Sequence, residues 1–405
     1  MKTTIFLIIG FLIGALANAQ QLESYIEQAQ SNNPEIRVFE LRYNIAGEKI
    51  NEANTLPDTQ LSAGYFVSEP ETRTGAQKAR FSIRQMLPWF GSITARENYA
   101  TAMADAEYLD IAIAKRKLSL SVSVSYYLLY AIKAKQRVTD ENINLLKTYE
   151  KLALTSVETG KAPAVDVLRL QIRRNELEQQ RQVLEQSYLA EQSLFNNLLN
   201  RDENVPVVVV DSLIVPKTDS VTETDSLQFH PELIKYDKLY ESVEKSEMLN
   251  QKESTPEIGI GLDYVLVEER PGMSFSDNGK DILMPMVSVS VPVFNRKYSS
   301  RSRQNTLKQQ EFMAQKAQRG NTLKTMLAKA RNSQASAKIS YNTQAKNIKQ
   351  AKDAQQILMK SYETGVIDFN DVLDIQELQL KFQINQIEAV KDYYMQTAII
   401  YYLTL

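Results

Sequence analysis

Four short landmarks occur twice in this chain, in the same order and at nearly the same separation. Asn33-Pro34-Glu35 returns as His230-Pro231-Glu232, and Leu87-Pro88-Trp89-Phe90 returns as Val291-Pro292-Val293-Phe294. Glu158-Thr159-Gly160 returns as Glu363-Thr364-Gly365, and Asp166-Val167-Leu168 as Asp371-Val372-Leu373. A sustained internal repeat means one structural unit written twice, so any fold for the first half must also serve the second. The reading divides the chain into a leader at 1–19, a first repeat at 20–200, a linker at 201–228 and a second repeat at 229–405.

Each repeat spells the same elements. A helix is expected from about Leu22 to Asn54, with its counterpart from about Glu232 to Lys252. Leu56-Pro57 and Thr255-Pro256 stop them, because proline disfavours helix in the residue before it. Period-two alternation follows, the mark of a strand with one apolar face. Leu61, Ala63, Tyr65 and Val67 alternate with polar or small residues, as do Phe81 and Ile83, the set Ile258, Ile260, Leu262 and Tyr264, and the set Val287, Val289 and Val291. Arg80 and Arg84 fall on the opposite face. The polar segments Ser68–Lys78 and Glu268–Ile282 read as hairpin loops.

After Pro88 and Pro292, long helices are expected over Gly91–Glu158 and Asn295–Tyr362, with Gly320 as a kink in the second. At 1.5 Å per residue each reaches roughly 100 Å. Gly160 and Gly365 turn the chain, and Asp166 and Asp371 suit the caps of the returning helices. Leu373, Leu380, Ile387, Tyr394 and Tyr401 recur every seventh residue, as in a coiled-coil seam.

Lys2, an apolar run from Ile5 to Ala17 and the small-residue site Ala17-Asn18-Ala19 read as a secretory signal. Cysteine is absent, so disulfides and thiolate metal sites are excluded, and the net charge of −2 gives no reason to expect a nucleic-acid partner. No amphipathic segment is placed to cover the apolar face of the strands. In an exported protein, lipid is the solvent for such a face. A sheet in lipid needs its edges paired, and four strands cannot close alone. Two copies would give a filled barrel of eight strands, and three would give twelve and a lumen. The fold class expected is a mixed α/β membrane protein. Each chain would give four strands to a shared twelve-stranded transmembrane barrel, and long coiled-coil helices would form a periplasmic tunnel.

The duplication, the strand end Leu87-Pro88-Trp89-Phe90-Gly91 and the tip Tyr362-Glu363-Thr364-Gly365 followed by Asp371-Val372-Leu373-Asp374 resemble the TolC-like outer-membrane efflux family. The resemblance covers essentially the whole mature chain. It implies a homotrimer in the outer membrane of a Gram-negative cell, with a helical tunnel met by a periplasmic adaptor and an inner-membrane pump. It also implies that Tyr362 helps hold the entrance shut. The family's basic residue two positions after the tip glycine is Ile367 here, so closure would come from apolar packing. Gly160, Gly365 and Asp166 become candidate adaptor-docking positions.

Asp371 and Asp374 lie three apart and share one side of a helix, so three copies would ring the entrance with carboxylates that favour cations. The plainer reading makes Asp371 a cap and Asp374 a solvated surface residue. Tyr362 reads equally as a packed core residue. His230, the only histidine, reads as a structural cap. No nucleophile motif, phosphate-binding glycine loop or zinc spacing appears, so neither catalysis nor a cofactor is expected. Two alternatives share the long helices: a secreted coiled-coil structural or adhesive protein, and a periplasmic adaptor.

Overall fold

A computed structural model describes residues 21–160, 162–217, 224–293, 295–364 and 366–404. The expected leader at 1–19 and Gly365 lie outside the described residues. The element order runs twice. Helix α1 (21–32), α2 (Pro34–Ala53), strands β1 (Gln60–Tyr65), β2 (Glu71–Thr72) and β3 (Gly75–Leu87), and helices α3 (Ser92–Glu158) and α4 (Ala164–Leu198) come first. A short 3-10 helix (Thr224–Phe229) leads into α5 (Pro231–Glu253), β4 (Glu257–Glu268), β5 (Ile282–Ser290), α6 (Lys297–Glu363) and α7 (Phe369–Thr404). Helices α3 and α6 hold 67 residues each, close to 100 Å of helix. None of the described helices is long and apolar enough to cross a membrane.

The chain forms two compact units, each drawing on both repeats. The first contains the described residues within 1–38, 112–230 and 320–405, and the second those within 39–111 and 231–319.

The first unit is a layer of long helices. Leu146, Leu170, Leu177, Phe369, Val372 and Leu380 make an apolar core where α3, α4, α6 and α7 meet. Inside this apolar seam Gln376 Nε2 donates to Asn142 Oδ1 at 2.9 Å, and both side chains are buried. Residues 207–214 of the inter-repeat segment belong to no helix or strand and are strapped to the helices by tyrosine hydroxyls. Tyr126 and Tyr130 accept the amides of Val210 and Leu213, and Tyr188 and Tyr394 donate to the carbonyls of Val207 and Ile214. These four bonds satisfy backbone groups that an unpaired segment would otherwise leave open.

The second unit holds an antiparallel sheet in the order β1-β3-β4-β5, with β2 paired to the start of β3. The central pair, β3 with β4, joins the two repeats.

Several expectations need correction. The first helix is broken at Asn33, because Pro34 has no N–H and the Asn33 Oδ1 caps the new helix by accepting the Glu35 amide at 2.9 Å. The segment Ser68–Lys78 is not all loop: β2 lies within it and β3 already starts at Gly75. Gly75 has φ 135°, and a Cβ there would lie 1.9 Å from the Glu268 carbonyl oxygen, so only glycine lets β3 and β4 approach this closely. Helix α6 runs through Gly320 without a break. On α7 the buried stripe is Phe369, Val372, Gln376, Leu380, Val390, Tyr393 and Ile400, whereas Tyr401 is exposed. The seam lies beside the seven-residue series read from apolar positions alone, because a buried glutamine interrupts it.

Candidate functional site: the helical tips and a two-faced sheet

The tips form where α3 turns into α4 and α6 into α7. Gly160 takes φ 69°, and the Ala162 amide returns to the Ser156 carbonyl, closing the helix end with a left-handed residue. In the second tip the Val366 amide returns to the Ser361 carbonyl. The hairpins are tied together by Arg169, whose Nη1 donates to Asn370 Oδ1 at 2.5 Å.

Beneath the turns lies an aromatic cluster. The Tyr362 ring meets Phe369 edge-on at 4.8 Å, and Tyr149 meets the same Phe369 at 5.7 Å. Tyr362 is buried, and its hydroxyl has no hydrogen-bond partner among the described residues. Ile367 packs against the same cluster. Within the chain Tyr362 is therefore a packing residue.

Asp371 and Asp374 are both exposed on one side of the first turns of α7 and make no ion pair with a described residue. Asp166 behaves differently. Pro163 holds the cap position of α4 and no side chain caps it, so the expected Asp166 cap is absent. Asp166 is 1% exposed rather than displayed on the tip surface, and neither carboxylate oxygen has a hydrogen bond within the protein. Arg169 Nη1 stands 3.8 Å away. Burial pushes the Asp166 carboxyl above its ordinary value, the Asp368 charge adds to the rise, and Arg169 opposes it. His230 is buried edge-on against Tyr402 at 5.3 Å, just before α5.

The sheet has two unlike faces. Cross-strand rows Leu61–Ile83–Leu262–Pro285 and Ala63–Phe81–Tyr264–Leu283 run right across it. Further rows add Ile260 with Val287 and Ile258 with Val289. This face is apolar and open: Leu61 is 77% exposed and Val287 76%. At the chain end of β3, Trp89 and Phe90 are also exposed and meet at 5.9 Å. The opposite face carries Ser62, Arg80, Ser82, Arg84, Asp263 and Ser288, and Arg80 pairs with the fully buried Asp263. β1 pairs only with β3 and β5 only with β4, so each has one unpaired edge among the described residues. Sequence alternation located both faces. The Arg80–Asp263 pairing could not be read from it, because register between strands that lie far apart in the chain leaves no local signal.

A family model described as outer membrane efflux protein matches residues 25–199, from α1 to the end of α4. Over that stretch, somewhat less than half of the chain, the sequence is similar to the outer membrane efflux protein family. Solved structures of similar fold extend the likeness across the second repeat. The outer-membrane channel OprN aligns with TM-score 0.78 at 16% identity, over 95% of this chain and 90% of that one. CusC, described through its folding and transmembrane channel formation, aligns with TM-score 0.78 at 13% identity, over 95% and 92%. The outer membrane protein VceC from Vibrio cholerae aligns with TM-score 0.73 at 16% identity, over 95% and 96%. No curated protein sequence matches. What these structures share with the chain is the fold.

Proposed function

We propose that three copies of this chain close their sheets into one twelve-stranded barrel, and that their helices form a periplasmic tunnel joined by an adaptor to an inner-membrane pump. The observation that carries this is the sheet, which has one apolar face without cover and two unpaired edges. Unpaired backbone groups in hydrocarbon cost several kcal/mol each, and copies of the same chain supply the missing partners. The exposed Trp89 and Phe90 fit the aromatic girdle where such a barrel meets the headgroups. The repeat boundaries at 20–200 and 229–405, with the leader at 1–19, belong to the same reading, as does a role as conduit rather than catalyst.

At the tunnel entrance Asp371 and Asp374 of three copies form a carboxylate ring that favours cations. Tyr362 and Ile367 keep the tips rigid by packing. The adaptor docks on the exposed turn at Gly160 and, beyond the described residues, Gly365. Val165, Leu168 and Val366 give this surface apolar anchor points, and all three are exposed. Asp166 supports it from beneath.

The test is the mass and conductance of the detergent-extracted protein. A trimer that conducts in a planar bilayer is expected, and a monomer that stays soluble without detergent overturns the reading. In the same bilayers, Asp371→Asn with Asp374→Asn should lower cation preference at low salt and leave assembly unchanged. Equal reversal potentials would turn the two aspartates away from the lumen.

A further inference from the structure

We propose that Arg84 is a charge-selectivity residue of the barrel, an unpaired guanidinium on its inner face that favours anionic permeants. This rests on the three-copy barrel proposed above. The backbone register fixes the side. Arg80, Ser82, Arg84 and Met86 of β3 stand opposite Val265, Asp263, Gly261 and Gly259 of β4. Two contacts place their side chains on the face of those glycines. A Cβ on Gly261 would lie 3.2 Å from Arg84 Cγ, and one on Gly259 would lie 2.7 Å from Met86 Sδ. The other face is the apolar one, so a barrel in lipid turns Arg84 inward.

Apart from Lys78 at the bulge of β3, which is paired with Glu69 and Glu268, the ionisable groups on the inner face of the four long strands are Arg80, Arg84, Glu257 and Asp263. Arg80 and Asp263 neutralise each other. Arg84 is exposed and makes neither an ion pair nor a hydrogen bond to a described residue. Its neighbours in the row are Gln60 and Gly261, neither of which carries charge. Glu257 lies four residues along β4 from Gly261, about 13 Å at the rise of a strand. That exceeds the screening length of about 10 Å at 0.1 M salt, so Glu257 does not cancel Arg84 at its own level. Three copies bring three guanidinium groups to one height of the lumen, and rings of arginine or lysine select anions. Asp371 and Asp374 belong to the other unit and carry the opposite sign.

The experiment is reversal potential across a planar bilayer under a potassium chloride gradient, for the parent, Arg84→Gln and Arg84→Lys. Three charges at about 10 Å in water, screened at 0.1 M, should favour chloride and disfavour potassium about twofold each, and so change the chloride-to-potassium permeability ratio roughly fivefold. Arg84→Gln should lose that factor, Arg84→Lys should keep it, and the difference should vanish near 1 M salt, where screening acts within about 3 Å. A glutamine variant with parental conductance and an unchanged reversal potential overturns the selectivity role and leaves the channel standing. A parent protein that fails to conduct overturns the barrel and this inference together.

Discussion

Asp166 puts a carboxylate where water hardly reaches it. Its oxygens accept no hydrogen bond within the protein, and burial together with the Asp368 charge raises its pKa. A raised carboxyl binds protons more readily in the folded chain than in the unfolded one, where the value is about 3.9. Stability is therefore fully present below that unfolded value and is lost as pH rises through the folded one. Asp166→Asn removes the charge and should raise the thermal midpoint at pH 7, with the two curves meeting below about pH 4. A parent that melts higher than the variant at pH 7 would mean that Arg169 outweighs the burial. The motif Asp166-Val167-Leu168 flagged the position as a helix start. Its environment could not be seen there, because the Asp368 charge that acts on it belongs to the second tip, some two hundred residues away in sequence.

At the scale of elements, the helix lengths and turns were legible because proline and glycine mark the boundaries of long uninterrupted runs. The seam of α7 was legible only in part. A reading by apolar spacing follows Leu373 and Leu380, which do meet the core, but it passes over Val372 and Gln376, which the helix also buries. Gln376 faces Asn142 on α3, and a polar pair inside an apolar seam fixes axial register at some expense of stability. Gln376→Leu alone leaves Asn142 short of a partner and should cost about 1–3 kcal/mol. The double variant Asn142→Leu with Gln376→Leu should recover most of that loss, yet let α3 and α7 slide. Denaturant midpoints measure the first effect. Cysteine pairs placed across the α3–α7 seam report the second without interference, since the chain has no cysteine of its own. A double variant with unchanged cross-linking register would deny the pair its aligning role.

For the whole molecule, the decisive contrast is between the two faces of the sheet. Ile83→Lys places a charge on the apolar face and should cost about 2–4 kcal/mol of membrane stability at mid-depth, enough to empty the outer membrane of folded protein. Ser288→Lys, on the inner face beside Gly259, should insert normally and shift only permeation. The folded fraction recovered from outer membranes decides between them, and equal losses for both would mean that neither face meets lipid. Alternation made these faces readable from sequence, but the tyrosine strap over 207–214 was not, since its partners come from helices far along the chain. The unpaired edges of β1 and β5 have a consequence in time as well as in space. A single chain exposes two raw edges, and two chains joined side by side still expose two. Only the third copy removes them, so a half-built ring gains no relief from its first contact. Assembly of this kind leaves single chains and finished rings, with little between. When chains are scarce, the yield of finished rings should climb as roughly the cube of their concentration.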